Sequence, residues 1–487
     1  MPLGTHHSQD KRVNKPVKSI STEKSRYIFE SLRSTLPKSR VPSRLFSSPF
    51  ILIYGFAILI ALGTAFLMLP ISNASGSASD LITALFTAIS AVTVTGLTVV
   101  ETSLHWSFFG QTVILVLIFL GGLGFITLAT FLLVMVGQRL SLGGRLALSQ
   151  TQGQSSIGQV VNLTKLIVIV AIVVQILGAV SLYFSLTTNF SMDDALWQAI
   201  FQSVSAFNNA GFSILPDSES LTMFSGMVWP IGTMTLLIVI GGLSFPVLAD
   251  VVKRRRFNRF SLDTQLVLLF SVLFWILGAM VFFVLEMNNP KTIGQFSVGH
   301  QLLDSIFQSV SGRTAGFTTV NFGDTESGTN FFYIALMFIG GASASTAAGI
   351  KVNTIALIMV AVFAAVRGRS RPTAFRKELS SPQVYRALAI AALAVISIFV
   401  IGFAVTLINQ QQNPEIPFLD LIFETVSAFS ANGTSTGVSA QVTDMTKLLL
   451  GATMCFGRLG PLTFALALAQ RQAEPNIRWA KEEVRLG

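Results

Sequence analysis

The feature that most constrains this chain is a pair of landmarks, a phenylalanine in a short apolar segment and a glycine after it, that recurs four times. The phenylalanines are 115, 106 and 116 residues apart, and the glycines follow them by 10, 10, 9 and 10 residues. The surrounding strings read SAVTVTGLT, SAFNNAGFS, SGRTAGFTT and SAFSANGTS. The pairs are Phe86–Gly96, Phe201–Gly211, Phe307–Gly316 and Phe423–Gly433. Recurrence at a fixed period indicates a structural unit that is repeated four times.

Every pair lies between apolar runs of membrane-spanning length. A spanning helix needs about 20 mostly apolar residues. Only 11% of this chain is charged, whereas soluble domains are about a quarter charged. The long runs are 50–70, 111–136, 163–187, 227–249, 265–287, 330–366, 385–409 and 446–470. Four intervening segments are too short to span and are expected to re-enter the membrane as short helices. These segments are 80–91, 194–207, 302–311 and 418–429.

The repeated unit is therefore a long helix, a short re-entrant helix, a glycine turn and a second long helix. Four such units predict an all-α polytopic membrane protein, with eight spanning helices arranged in pseudo-fourfold fashion around one central pore. The predicted divisions are a flexible basic tail at 1–48, unit one at 49–140, unit two at 141–256, unit three at 257–370, unit four at 371–471 and a C-terminal tail at 472–487. Within the first tail, Ser25 to Leu36 could form an amphipathic surface helix.

Lys and Arg are concentrated in the loops that join one unit to the next. The loops beside the short segments instead carry acidic residues such as Asp80, Glu101 and Asp324. Because cytoplasmic loops are enriched in Lys and Arg, both termini are predicted to be cytoplasmic in a multi-pass cell-membrane protein. The same rule accounts for the net charge of +10, so this charge does not argue for nucleic acid.

The glycine turns have the chemistry of a monovalent-cation filter. Irregular backbone at membrane depth is tolerated where it lines a cavity, and a ring of carbonyls can replace the hydration shell of a cation. Glycine allows a sharp turn with no side chain on the axis, although any single glycine could equally serve a turn or a helix contact. The near absence of acidic side chains disfavours a divalent-cation site. The predicted filter residues are Thr93, Val94, Thr95, Gly96, Asn208, Asn209, Ala210, Gly211, Arg313, Thr314, Ala315, Gly316, Ser430, Ala431, Asn432 and Gly433.

A run of small residues interrupts the second long segment of unit three. The stretch from Phe331 to Val366 is too long for one straight span. Within it, GGASASTAAGIK at 340–351 combines glycines, which are weak helix formers, with hydroxyls that can satisfy freed backbone groups. We expect a broken helix with a polar loop under the filter, acting as a movable gate without an equal in the other units. The predicted gate residues are Gly340, Gly341, Ala342, Ser343, Ala344, Ser345, Thr346, Ala347, Ala348, Gly349, Lys351 and Arg458.

The other units carry glycine pairs at the corresponding position, and a charge stands there in unit four. Gly121–Gly122 and Gly241–Gly242 are expected to let helices pack closely. Arg458 could oppose cation leakage below the filter, or could hold the broken segment by hydrogen bonds to carbonyls. Arg313 is expected to donate to neighbouring loop carbonyls rather than to contact an ion, and Glu424 to anchor a neighbouring loop.

These motifs resemble the Trk/Ktr/HKT superfamily of potassium transporters, most closely the bacterial Ktr-type ion-conducting membrane subunits (KtrB-like). The resemblance covers about residues 50–487 and rests on SAVTVTGL, FNNAGFS, RTAGFTT, GGASASTAAGIK and GRLGPLT. It implies potassium at the filter glycines Gly96, Gly211, Gly316 and Gly433, a gating loop at 340–351 and a pore arginine at Arg458. Glycine rather than serine at position 96 resembles the potassium-selective members. The fourth turn, Ser430–Thr434, is more polar than the family pattern.

The resemblance also implies cargo and partners. Such subunits form homodimers, for which the C-terminal tail is a candidate contact, and sit on a cytoplasmic nucleotide-binding regulatory ring (KtrA-like) that binds ATP or ADP. The implied function is potassium uptake, with no organic cofactor in this chain. A sodium channel or a potassium/sodium symporter on the same scaffold is the nearest alternative. A membrane enzyme would need an intramembrane His, Asp or Glu constellation, which the runs hardly supply, and a non-conducting sensor or scaffold is the remaining alternative.

Overall fold

The computed structural model describes residues 50–124, 160–216, 220–369, 371–412 and 414–460. Within these ranges the chain is mainly helical. The described strands are Thr373–Ala374 and Lys377–Glu378, which pair antiparallel as a hairpin. The helices are α1 (Phe50–Leu67), α2 (Leu81–Thr93), α3 (Thr102–His105), α4 (Phe108–Gly122), α5 (Val160–Leu186), α6 (Met192–Phe207), α7 (Val228–Gly242), α8 (Phe245–Arg254), α9 (Leu262–Glu286), α10 (Val298–Ser311), α11 (Ser327–Phe338), α12 (Val352–Val366), α13 (Ser381–Gln412), α14 (Phe418–Ser430) and α15 (Asp444–Leu459). The predictions for the tails at 1–48 and 472–487 concern residues outside the described ranges.

Three of the described helices are long and apolar enough to cross a membrane. They are α9, α13 and the part of α5 from Leu166 to Leu186. The pair α7 and α8 adds a fourth candidate, which is bent by 98°. The apolar runs at 111–136 and 446–470 continue beyond the described residues, so the number of eight spans stays a prediction.

The four short apolar segments are helices α2, α6, α10 and α14. They begin as much as four residues before the predicted bounds and end as much as two residues after them. Polar caps set two of the starts, because the Asp80 carboxylate accepts from the Ile82 N–H at 3.0 Å and the Ser191 hydroxyl accepts from the Asp194 N–H at 3.2 Å. Such caps satisfy N–H groups that have no partner within the helix.

The landmark phenylalanines lie in the middle of these four helices and are buried. Phe86 is 2% exposed, and Phe201, Phe307 and Phe423 are fully buried. Phe423 stacks on Tyr333, with ring centroids 6.2 Å apart. In a membrane, where lipid tails are as apolar as the core, such contacts hold each short helix against its neighbours through van der Waals packing.

The second long helix of each unit ends or bends near its glycine pair. α4 ends at Gly122, α11 at Phe338 and α15 at Leu459, and α7 ends at Gly242 before the 98° bend into α8. The prediction of one continuous segment at 227–249 is therefore wrong. Pro246 lies in the first turn of α8, and proline cannot continue a helix because it lacks an N–H. The helix break in unit three is thus shared with unit two, and only the inserted loop distinguishes it.

The glycine pairs allow these second helices to touch the ends of the short helices, as predicted for Gly121 and Gly241. A Cβ atom on either glycine, or on Gly457, would overlap a backbone carbonyl oxygen at the end of a short helix. The overlapping pairs are Gly121 with Val92, Gly241 with Phe207, and Gly457 with Phe429. The second glycines, Gly122 and Gly242, approach the side chains of Asn208 and Asn209 instead.

Candidate functional site

The four glycine turns contact one another in a closed ring. Each glycine faces the carbonyl oxygen of the residue that precedes the glycine of the next turn, so closely that a Cβ atom would clash with it. The contacts are Gly96 with Ala210, Gly211 with Ala315, Gly316 with Asn432, and Gly433 with Thr95. The fourth turn thus returns to the first. The structure therefore brings together residues that are more than three hundred positions apart in the sequence.

Backbone carbonyl oxygens in this ring lack hydrogen-bond partners. Among the described residues, no group donates to the carbonyl of any of the four glycines or of the two residues before each of them. Those directly before the glycines, Thr95, Ala210, Ala315 and Asn432, are fully buried. Buried backbone carbonyls are nearly always paired. The lack of a donor to these carbonyls in all four turns therefore indicates that they bind a ligand that accepts electron density. A dehydrated cation is such a ligand.

One serine in the last part of each short helix shapes the turn that follows. The carbonyl oxygens of Ser90, Ser205 and Ser427 accept from the N–H of the residue before the turn glycine, at 2.8 to 3.0 Å. In the third turn the Ser311 carbonyl accepts from both Ala315 and Gly316, at 2.8 and 3.3 Å. Our reading of the sequence missed these serines, although each of the four recurring strings begins with one.

The serine hydroxyls divide the ring into two kinds of turn. In the first and fourth turns, the hydroxyls of Ser90 and Ser427 accept from the N–H groups of Gly96 and Gly433, both at 3.1 Å. In the second and third turns, the hydroxyls donate to the carbonyl that follows the glycine, at 2.7 and 2.6 Å. The donors in these two bonds are Ser205, to Phe212, and Ser311, to Phe317. The equivalent serine hydroxyl therefore acts as an acceptor in two of the turns and as a donor in the other two.

Replacing Ser427 by alanine is expected to reduce, several-fold, the potassium uptake that the family resemblance implies. The substitution leaves the Gly433 N–H buried without a partner, which costs about 1–3 kcal/mol and loosens the carbonyl before it. The matched control is Ser397→Ala, because the hydroxyl of this half-buried serine bonds only to its own helix. Uptake by purified protein in liposomes checks the prediction. Equal uptake by both variants would mean that the hydroxyl does not shape the turn.

The third turn is shorter than the others and has a different backbone. Gly316 lies five positions after Ser311, whereas each of the other turn glycines lies six positions after its serine. In the other turns, the residue two positions before the glycine is left-handed, with φ of 58° at Val94, 58° at Asn209 and 47° at Ala431. A left-handed valine is an outlier, and such strain persists where the surroundings hold it, often at functional sites.

Arg313 ties the third turn to the broken helix of the same unit. Its guanidinium donates to the carbonyls of Ile339 and Gly340, at 3.4 and 2.7 Å, and lies 5.8 and 5.7 Å from the ring centroids of Phe274 and Trp275. These contacts are those of the predicted scaffold role. The side chain is 3% exposed, so its hydrogen bonds to carbonyls compensate for part of its desolvation.

Several predicted filter residues contribute backbone rather than side chains. The Thr93 and Ser430 hydroxyls and the Asn208 amide donate to carbonyls of their own helices. Asn209 instead crosses to the third turn, where its amide donates to the Thr314 hydroxyl at 2.9 Å. This bond links the second and third turns directly.

The predicted break in unit three is present as a loop between α11 and α12. Its base is closed by the Gly340 N–H, which donates to the Ile350 carbonyl at 2.8 Å. The loop also covers the end of α7, because Ala342 and Thr346 donate their N–H groups to the carbonyls of Gly242 and Gly241, at 3.1 and 3.3 Å. Helix ends leave carbonyls unsatisfied, so the loop fills a need created by the break in α7.

Two cationic side chains hold this loop. The Arg458 guanidinium donates to the carbonyls of Thr346 in the loop and Gly121 in unit one. Lys351 donates from Nζ to the Ala347 carbonyl at 2.6 Å. Arg458 therefore joins units one, three and four, which is the holding role predicted as one of its two alternatives. The other alternative, a barrier to cations, stays a prediction.

Glu424 anchors the loop that follows the fourth turn, as predicted. The fully buried carboxylate accepts from the Thr436 N–H at 3.0 Å and from the hydroxyls of Ser435 and Ser439. Three donors to one buried carboxylate fix the path of the chain out of the turn. These contacts give Glu424 a structural role. The four turns of the ring contain no Asp or Glu.

Comparison with known proteins identifies the family. A family model described as "TrkH: Cation transport protein" matches residues 26–477, which is most of the chain. The chain belongs to this family. Membership confirms that it is a transporter rather than an enzyme.

Relatives of this family match over nearly the whole chain. The Ktr system potassium uptake protein B of Bacillus subtilis (strain 168) is 38% identical over 454 residues, covering 93% of this chain and all of that protein. The potassium/sodium uptake protein NtpJ of Enterococcus hirae is 33% identical, covering 93% and 100%. The crystal structure of the potassium transporter TrkH from Vibrio parahaemolyticus matches with a TM-score of 0.69 at 19% identity, covering 89% of this chain and 86% of that one. The fold is therefore a helical polytopic membrane fold of the TrkH kind.

Proposed function

We propose that this chain takes up potassium across the cell membrane through a filter formed by its four glycine turns. The observation that carries the proposal is the closed ring of turns with unpaired, buried carbonyls. Carbonyl oxygens suit a monovalent cation that sheds its water, and Arg313, the charged member of the turns, is directed at Ile339 and Gly340 instead. Potassium is the cargo here and not a resident cofactor.

The surrounding architecture in this proposal has four pseudo-equivalent units, eight spanning helices and both termini in the cytoplasm. Its support is the recurrence of a short helix, a serine and a glycine turn in every unit. Each short helix ends at the ring, so its carbonyl end, which carries partial negative charge, lies next to the passing cation. The short helices enter from outside because the loops beside them are poor in Lys and Arg.

In this proposal the loop at 340–351 is the gate, and Arg458 holds the loop in place by its hydrogen bond to Thr346. The loop contacts α7 of unit two, Arg458 of unit four and, through Gly349, the Ser430 backbone at the end of α14. It therefore lies directly against one turn of the filter. Its small residues impose little steric resistance to movement, and its hydrogen bonds to helix ends can be exchanged for water.

Replacing Arg458 by alanine is expected to raise uptake by about fivefold, without changing the preference for potassium over sodium. The variant loses the hydrogen bonds to Thr346 and Gly121, each worth about 1.5–3 kcal/mol for a charged donor. It also loses a positive charge that repels the transported cation. Flux of each ion measured separately in liposomes checks this. A changed preference would place Arg458 in the selection step instead.

Regulation and assembly complete the proposal. The chain acts as a homodimer with one pore per protomer, on a KtrA-like cytoplasmic ring that binds ATP or ADP. Support comes from the resemblance of the motifs and from the Ktr-system name of a relative that is 38% identical. Co-purification of a nucleotide-binding protein with the native chain, followed by potassium flux with and without it, tests this part.

A sodium channel or a potassium/sodium symporter is the second candidate. It is favoured by the full-length likeness to a protein named for uptake of both ions. Flux into liposomes with potassium and sodium supplied separately distinguishes the candidates. Potassium flux that continues without sodium supports the first, and sodium flux undiminished by added potassium would reject it.

A further inference from the structure

Two loops that join successive units pack against each other away from the ring. The hairpin of Thr373–Glu378, between units three and four, lies on the turn at Phe257–Phe260, between units two and three. The rings of Phe257 and Phe375 have centroids 5.6 Å apart, and Lys377 donates from Nζ to the Phe260 carbonyl at 3.3 Å. The two loops therefore form one continuous surface. The proposed function gives this surface no part in ion passage.

The tip of the hairpin has an unusual backbone. Its two central residues, Phe375 and Arg376, both have positive φ, 49° and 61°. Two-residue hairpin turns of this kind favour Asn-Gly or Asp-Gly, and a bulky residue in this conformation is an outlier. Backbone strain of this kind is retained mainly where the surrounding structure enforces it and tends to mark functional sites. Here it keeps an aromatic ring and a guanidinium at an exposed tip.

The surface carries basic side chains without partners. We call them the basic face: Lys253, Arg255, Arg256, Arg259 and Arg376. All five are exposed, and their side chains make no hydrogen bond or ion pair among the described residues. Two of the nearby acidic groups form ion pairs, Asp250 with Arg254 at 2.7 Å and Glu378 with Arg371 at 3.7 Å, and the Asp263 carboxylate accepts from the Asn353 amide. The surface therefore has a strongly positive net charge, and the side chains of the basic face are accessible to an anionic ligand.

Exposed apolar side chains lie among these cations. Val252 is 71% exposed, Phe257 40% and Phe375 38%. Helix α8, which carries Val252 and ends at Arg254, is turned by 98° from α7. We infer that α7 crosses the membrane and that the 98° bend therefore lays α8 along the membrane surface. Mixed cationic and apolar residues on such a helix are typical of the boundary between headgroups and acyl chains.

We propose that the basic face binds the phosphate headgroup of an anionic phospholipid in the adjacent leaflet, with Val252, Phe257 and Phe375 against its acyl chains. Clusters of four to eight Lys or Arg directly beside a spanning helix attract anionic lipids. Arginine suits phosphate because its planar fork donates two parallel hydrogen bonds. The interleaving of apolar side chains with cations favours a lipid, whose headgroup and acyl chains match both kinds of residue.

Thermal unfolding of the full chain in detergent, titrated with phosphatidylglycerol or phosphatidylcholine, tests the proposal. A bound lipid stabilises the folded state by mass action, so the concentration at half-maximal stabilisation reports affinity. We expect phosphatidylglycerol to be preferred, and the triple variant R255Q/R256Q/R259Q to bind it at least tenfold more weakly. Each lost cation removes about 1 kcal/mol, or about fivefold, by the usual strength of such contacts. The control is Lys291→Gln, an exposed cation beyond the opposite end of α9, which should bind as the unmodified chain does.

Further arms identify the ligand. Glycerol 3-phosphate has the same phosphate without acyl chains, and it should stabilise the chain only at far higher concentration. Phe375→Ser should weaken phosphatidylglycerol binding while leaving that of glycerol 3-phosphate unchanged. Equal stabilisation by both lipids would reassign the basic face to a protein partner and overturn the proposal. Unchanged lipid affinity in the triple glutamine variant, or equal potency of glycerol 3-phosphate, would overturn it as well.

Discussion

Replacing Gly316 by alanine is expected to reduce potassium uptake at least tenfold. Gly316 has φ of 71°, a left-handed conformation that costs an L-residue about 1–2 kcal/mol. The added Cβ atom would also overlap the Asn432 carbonyl oxygen of the next turn. That oxygen must move, and with it one of the unpaired carbonyls proposed to coordinate the cation. Because four turns share the ring, displacement of one distorts the contact of its neighbour.

The measurement is potassium flux into liposomes that contain equal amounts of folded protein. The matched control is Gly232→Ala in α7, where a Cβ atom would meet nothing within 4 Å and φ is not positive. This control should transport at the rate of the unmodified chain. Retention of more than half the flux by Gly316→Ala, in protein that elutes normally by size, would contradict the proposed filter.

Removal of residues 342–348 is expected to raise potassium uptake about tenfold when no regulatory subunit is present. The segments that flank the loop run parallel where Ile339 pairs with Ile350, so the variant carries a short glycine linker in place of residues 342–348 to join Gly341 to Gly349. The excision removes the loop contacts to Gly241 and Gly242, and it also removes the Thr346 carbonyl that Arg458 holds. Loss of the proposed barrier is expected to outweigh the modest loss of packing.

The control for this deletion is Ser343→Ala at the exposed tip of the same loop, which should leave uptake unchanged. The Ser343 contact to Asn353 uses the backbone N–H, so the substitution preserves it. Unchanged or lower flux after excision, in protein that still purifies as a folded species, would argue that the loop supports the pore rather than closes it.

The recurring phenylalanine and glycine landmarks were sufficient to predict the short helices and to identify the four turns that meet in the ring. Their signal is strong because the close approach and positive φ at Gly96 and its equivalents require glycine, and a buried phenylalanine lies at an almost constant distance before each of them. The contacts of Arg313 and Glu424 were also foreseeable, since a buried charge inside an apolar segment needs nearby partners. Composition alone could not have assigned either residue to its loop.

Other features depended on geometry that the sequence does not display. The bend after Gly242 was hidden by continuous hydrophobicity across 227–249, although Pro246 offered a hint. The opposite directions of the Ser90 and Ser205 hydrogen bonds follow from small differences in backbone path. Arg458 bonds to residues 112 and 337 positions away, and no local pattern predicts such partners.

The measurement that most directly tests the central claim is an anomalous-diffraction structure of the chain grown in rubidium, a potassium substitute. The account predicts a strong anomalous peak inside the ring, coordinated by the carbonyl oxygens of Thr95, Ala210, Ala315 and Asn432. The peak should disappear in the Gly316→Ala variant and persist in Gly232→Ala. A ring without a peak, or a peak coordinated by carboxylates elsewhere in the protein, would contradict the proposal that these four turns select the ion.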